Sequence, residues 1–172
     1  MNPLLGVFLA LKDRTTEAIP VLERAVGQFD KVGWDLAMHA LVRAHLSSGA
    51  PDRAMKLLEQ LFDKIDDRHL AGQVTSALFD AAAFENAAQL GKRLFERYGY
   101  TGYAYNVACA LARIEGPLDE ALAWLTKAVE AGYDNVAHME ADEDLVALRE
   151  LPAYVAIRAK AESNADEKRS AT

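Results

Sequence analysis

Between Tyr103 and Tyr133 the chain reads YAYNVACALARIEGPLDEALAWLTKAVEAGY, with apolar positions at helical spacing on either side of a Gly-Pro turn. Val107, Ala108 and Leu111 share one face of the first half, and Ala121, Leu125 and Ala128 share one face of the second, as residues three and four apart do on an α-helix. Asp119 and Glu120 open the second half, where carboxylates complement the positive end of a helix dipole. The segment predicts a helical hairpin whose small residues, Ala108, Ala121 and Ala128, let its two helices approach closely. A lone hairpin cannot cover its own apolar faces, so the pattern is expected elsewhere in the chain.

It recurs three times. Thr16-Glu17-Ala18, Asp52-Arg53-Ala54 and Glu85-Asn86-Ala87 align with Asp119-Glu120-Ala121, and the four alanines are 36, 33 and 34 residues apart. Each is preceded by a turn, at Asp13-Arg14, Gly49-Ala50-Pro51, Ala81-Ala82-Ala83 and Gly116-Pro117. Before each turn a first helix carries a trio on one face: Leu5, Gly6, Leu9; Leu41, Val42, His45; Val74, Thr75, Leu78; and Val107, Ala108, Leu111. After the fourth hairpin the period breaks into short helices over 135–140 and 142–149, and Pro152 opens a last one to about Ala161, proline being favoured in a helix's first turn. Leu145, Leu148, Tyr154 and Ile157 are placed to cover the last hairpin. The polar, small and charged stretch 163–172 predicts a disordered tail.

This period, with its trios and alanines, resembles that of the tetratricopeptide repeat family, whose pattern runs W-x2-L-G-x2-Y, then A-x3-F, then P. The resemblance covers about residues 1–133, through the later pairs Ala18 with Leu22, Ala54 with Leu58, Ala87 with Gly91, and Ala121 with Leu125. No repeat has the leading tryptophan or the closing proline, and Thr75 and Gly91 stand at packing positions of the third. The resemblance implies an all-α, right-handed solenoid of antiparallel helix pairs. Its repeats would span about 1–33, 34–67, 68–100 and 101–133, with capping helices over 134–162, making one domain of 1–162.

The same resemblance implies a non-enzymatic module that binds a peptide or partner surface on a concave face built from the first helices. His39, Arg43, Gln73, Ser76, Tyr105, Asn106 and Arg113 fall on the stripe that faces this groove, and His45 falls where the family packs an aromatic. Some relatives in the family hold the C-terminal carboxylate of chaperones with a clamp of basic and amide residues. Here Pro3 and Val7 replace its first lysine and asparagine, so that partner is not expected.

Composition narrows the remaining classes. With 172 residues, 51% of them hydrophobic, the chain can bury a continuous core, and no Val-Ile-Thr alternation predicts strands. One cysteine, Cys109, rules out an internal disulfide and fits a reducing, cytoplasmic setting. Net charge is −7, and the excess sits entirely in residues 115–150, with ten acidic residues against two basic. A chain with no basic stripe is a poor ligand for nucleic acid or an anionic membrane. The acidic block reads as a solvated helix face, or as a docking patch for a basic partner whose affinity would fall with salt.

At the other end, Leu4, Leu5, Val7, Phe8, Leu9 and Leu11 make an apolar run with no basic residue before it and no small-residue cleavage site, so it predicts the first repeat helix and not a signal peptide or membrane span. That helix is apolar on more than one face. Leu4, Val7, Phe8 and Leu11 therefore form a possible assembly surface, for a homodimer or for contact with an upstream domain.

Catalytic and metal chemistry find no frame. His39 and His45 are six residues apart, about 240° around a helix, which no single ion bridges. Cys109 lacks the neighbouring histidine that would activate a nucleophile. In the acidic run from Glu140 to Asp144, Leu145 occupies the glycine place of a calcium loop, and Asp142 reads better as a helix cap. No cofactor and no metal is expected.

Overall fold

The computed structural model of the chain describes residues 3–12, 14–27, 34–61, 68–114, 116 and 118–170. Among them the structure is all-α, with no strand. No described helix is long and apolar enough to cross a membrane. The helices cluster into two compact units, Met1–Ala83 and Phe84–Thr172.

The first unit contains α1 (Pro3–Leu11), α2 (Thr15–Val26), α3 (Trp34–Ser47), α4 (Pro51–Leu61) and α5 (Arg68–Asp80). Helices α1 and α2, α2 and α3, and α3 and α4 pack in succession, while α1 also lies against α3 and α3 against α5. Ala18 and Ala54 are fully buried, so at each of them two helices meet over a single methyl group. Gly6 serves the same end on α1. A Cβ there would lie 2.7 Å from Cγ and Cδ2 of Leu22, far inside van der Waals contact, so only glycine admits α2 at this depth.

The helix ends repeat one device. The Ala50 N–H donates to the His45 carbonyl (2.9 Å), the Ala83 N–H to the Leu78 carbonyl (2.9 Å), and the Arg14 N–H to the Leu9 carbonyl (3.0 Å). This six-to-one hydrogen bond closes a helix and turns the chain back. The acceptors are the third members of the first three trios. Gly49 takes the left-handed conformation inside one such turn and Ala82 inside another, at φ +70° and +53°; the alanine bears a cost of about 1 kcal/mol for its Cβ.

His45 is buried, with Nδ1 unpartnered among the described residues and Nε2 3.8 Å from Glu23 Oε1. Burial pushes its imidazole below the ordinary range, and the Glu23 carboxylate opposes that only in part.

The second unit contains α6 (Phe84–Tyr98), α7 (Thr101–Arg113), α8 (Asp119–Glu130), α9 (Val136–Ala141), a 3₁₀ turn (Glu143–Leu145), α10 (Val146–Arg149) and α11 (Pro152–Ser170). Helix α7 packs between α6 and α8, the 3₁₀ turn lies on α7, and α11 packs on α8, α9 and α10. Ala87 and Ala121 are buried as completely as Ala18 and Ala54. Leu145, Leu148, Tyr154 and Ile157 are all buried, and the Tyr154 hydroxyl donates to the Met139 carbonyl (3.0 Å).

Gly91, a gap in the sequence pattern, turns out to be a crossing point. A Cβ there would lie 2.6 Å from Val107 Cγ2 and 3.5 Å from the Tyr103 carbonyl, so the missing side chain is what lets α6 and α7 close. Helix α11 corrects the expectation of a disordered tail from Ser163, since it continues to Ser170. The Asn164 amide supplies the reason: it donates to the carbonyls of Val129 (2.7 Å) and Tyr133 (3.0 Å) at the end of α8, and Lys168 pairs with Asp134 (2.7 Å).

Two stability outcomes follow from this packing. Alanine ordinarily improves a helical glycine by about 1 kcal/mol, but Gly91→Ala is expected to lower unfolding free energy by about 1 kcal/mol net, because a β-branched valine cannot swing aside. In a Val107→Ala background the same change should become stabilising, as read by urea unfolding of the two pairs. His45 gives a pH dependence. Its folded value is depressed, so its contribution is complete above the unfolded value of about 6.5 and is lost as pH falls from there toward the folded value. The urea midpoint of His45→Leu should therefore fall less between pH 7.5 and pH 5.5, roughly the window spanned by histidine, than that of the parent chain.

Candidate functional site

In the first unit, α3 turns His39, Arg43 and Ser47 onto one stripe, each a turn beyond the last. Because α1 lies against α3, that stripe faces Val7, Ala10 and Leu11, and the two helices enclose a cavity of about 340 Å³. Leu36, Ala40 and Ala44 complete an apolar floor, with Thr15 at the edge. Arg43 is exposed and, among the described residues, its guanidinium has no hydrogen-bond or ion-pair partner. A guanidinium beside an apolar floor can donate to a carboxylate or a main-chain carbonyl while the floor takes a side chain.

The sequence-chosen residues thus divide. Val7, Leu11, His39 and Arg43 come together in this one cavity. Leu4 and Phe8 lie outside it, both 55% exposed, with the Lys12 ammonium 5.9 Å from the Phe8 ring centre. Ser76 is exposed on α5 and Asn106 half-buried on α7; Gln73 belongs to α5, but its side chain lies outside the described residues. Leu36 was missed, although Leu36, Ala40 and Ala44 repeat every four residues beside the histidine stripe and could have marked a second wall.

Tyr105 requires a correction. It is 3% exposed, because the segment after α8 folds over α7. Its hydroxyl donates to Asp142 Oδ2 (2.8 Å), and its ring stacks on Tyr133, with centres 4.5 Å apart at 10°. A side chain so enclosed offers nothing to a groove. Arg113 is partly exposed but engaged, its Nη1 2.7 Å from Asp144 Oδ1 and its guanidinium 4.9 Å above the Phe84 ring.

Asp142 holds this contact together. Its Oδ1 accepts from the Asp144 N–H (3.0 Å), capping the 3₁₀ turn, and its backbone carbonyl accepts from Arg149. Oδ2 takes the Tyr105 hydroxyl, lies 3.5 Å from the Cys109 thiol and 3.5 Å from His138 Nε2. Burial and the two carboxylates push the Cys109 thiol far up, and burial, the thiol and Asp142 do the same to Tyr105; Tyr133 is pushed up to about 12, mainly by burial. Ligand-type atoms of Cys109, Asp142 and Asp144 do lie within 4.8 Å of one another. With the thiol protonated and both carboxylates bonded inside the chain, the cluster is built to fasten the cap to α7.

No protein-family model, no curated protein and no solved structure matches the chain.

The fastening implies an order of losses. Asp142→Ala strands the buried Tyr105 hydroxyl and uncaps the turn, and should destabilise by about 3 kcal/mol. Tyr105→Phe, which removes one donor from a carboxylate that keeps others, should cost about 1 kcal/mol. Thermal unfolding of both variants checks the order, and equal losses would mean that Asp142 acts on the hydroxyl alone.

Proposed function

We propose that the chain is a non-enzymatic protein-interaction module of the tetratricopeptide type, a right-handed solenoid of helix pairs that takes a peptide or partner surface on its first helices. Support for the architecture comes from the register: Ala18, Ala54, Ala87 and Ala121 are all at most 1% exposed. The same closing hydrogen bond also falls on Leu9, His45 and Leu78, the residues that the sequence period aligns. The packing of α1 on α3 and of α3 on α5 supports reading them as successive first helices.

The function rests on one observation. His39 and Arg43, chosen from the repeat pattern as groove-facing, line a single cavity with Val7 and Leu11 of α1. Ser76, exposed on α5 of the same unit, stays a candidate for this groove; the buried Tyr105 leaves it, and Arg113 is engaged by Asp144. An apolar pocket with a few convergent polar groups is the usual form of a recognition site.

A second use has its own observation. Leu4, Phe8 and Leu11 are exposed on α1, Leu11 to 77%, and such a helix suits a homodimer or a neighbouring domain.

Affinity capture with the intact chain, Arg43→Glu and Ala40→Trp tests the groove. Charge reversal at the rim and filling of the floor should remove the same partner, by at least about tenfold in recovered amount, which corresponds to about 1.4 kcal/mol. A partner retained by both variants contradicts the groove. For the second use, light scattering should show concentration-dependent mass that Phe8→Glu abolishes.

A further inference from the structure

A second apolar groove lies on the other unit. Helices α8 and α11 pack together and leave between them an open groove of about 520 Å³. Leu122, Val129 and Ile157 form its apolar base. Ala123, Ala153 and Ala156 stand along it with nothing beyond Cβ, and all three are exposed, so a helix could settle close to both backbones.

An acid stands at each end of it. Asp119 and Glu130 both line the groove and stand eleven residues apart at the two ends of α8, about 16 Å along the axis. Four other acids of this unit meet cations of the same chain: Glu120 with Lys92, Asp134 with Lys168, Glu140 with Arg158, and Asp144 with Arg113. Among the described residues Asp119 and Glu130 have no such partner. Asp119 complements the start of its helix, but Glu130 is the last residue of α8, where a negative charge opposes the helix dipole. An external cation relieves both the missing partner and that opposition. The surrounding segment 115–150, with ten acidic residues against two basic, adds to the same field.

We propose that the α8–α11 groove docks an amphipathic helix of a partner protein, about three turns long, whose apolar stripe is edged by lysines or arginines that meet Asp119 and Glu130. Lys160 on the α11 side favours an acidic residue on the opposite edge of that helix. An anionic membrane is disfavoured by the same two carboxylates. A second copy of this chain offers as its exposed apolar helix α1, PLLGVFLAL, which carries no charge.

The test is a displayed library of helical peptides, about four turns long, with a fixed leucine stripe and randomised edge positions, selected against the intact chain. Lysine and arginine should be enriched on one edge. The best peptide should bind Asp119→Lys/Glu130→Lys at least tenfold more weakly, lose binding to Ala156→Glu, and weaken as salt rises. A charge-swapped peptide with glutamates on that edge should regain affinity for the double-lysine variant. Ala156 and both acids are exposed, and far-UV circular dichroism of each variant should match the parent. No enrichment, no selected binder, equal binding to all variants, or self-association of the chain that Ala156→Glu removes would each overturn the proposal.

Discussion

The structure depends on how closely its helices approach at a few positions. Ala18, Ala54, Ala87 and Ala121 are buried to within 1%, and Gly6 and Gly91 occupy points where even a methyl group would collide with Leu22 or Val107. At such separations dispersion between backbones and short side chains does the work that longer side chains do in a looser core. The larger residues, Leu22, Leu41, Leu78, Leu94 and Leu125, fill the space that this approach defines.

Burial of the cap on α7 governs which surfaces remain for recognition. The Asp142 carboxylate gathers a hydroxyl, a thiol and a backbone N–H into one contact, so Tyr105 and Cys109 of α7 are consumed in holding the chain's own C-terminal helices. What stays open is the α1–α3 cavity, whose guanidinium has no partner among the described residues, in one unit, and the acid-edged α8–α11 groove in the other. Both combine an apolar base with charge that meets no counter-charge among the described residues, and charge of that kind sets partner choice more than raw affinity.

Local periodicity made the helices and the register alanines legible in the sequence, because both are properties of neighbouring residues. So were His39 and Arg43 as members of one stripe, since i, i+4 spacing places them together; that Val7 and Leu11 face them across a cavity was not, because it depends on the packing of α1 on α3. Tyr105 was not legible: what covers it is Asp142, 37 residues away, and periodicity within α7 gives no sign of a carboxylate that distant. Gly91 looked like a defect because a repeat pattern scores the missing side chain and not the neighbour that fills its place. The helix beyond Ser163 escaped notice for a similar reason, as its composition is polar while Asn164 finds two carbonyls on a distant turn.

The most direct test of a single register of close approaches is to enlarge its four alanines one at a time. In urea unfolding, leucine at Ala18, Ala54, Ala87 or Ala121 should each cost about 2 kcal/mol or more, while leucine at the exposed Ala123 or Ala159 should change stability by less than about 0.5 kcal/mol. Tolerance of leucine at the four positions, equal to that at the two exposed ones, would contradict the packing on which both proposed surfaces rest.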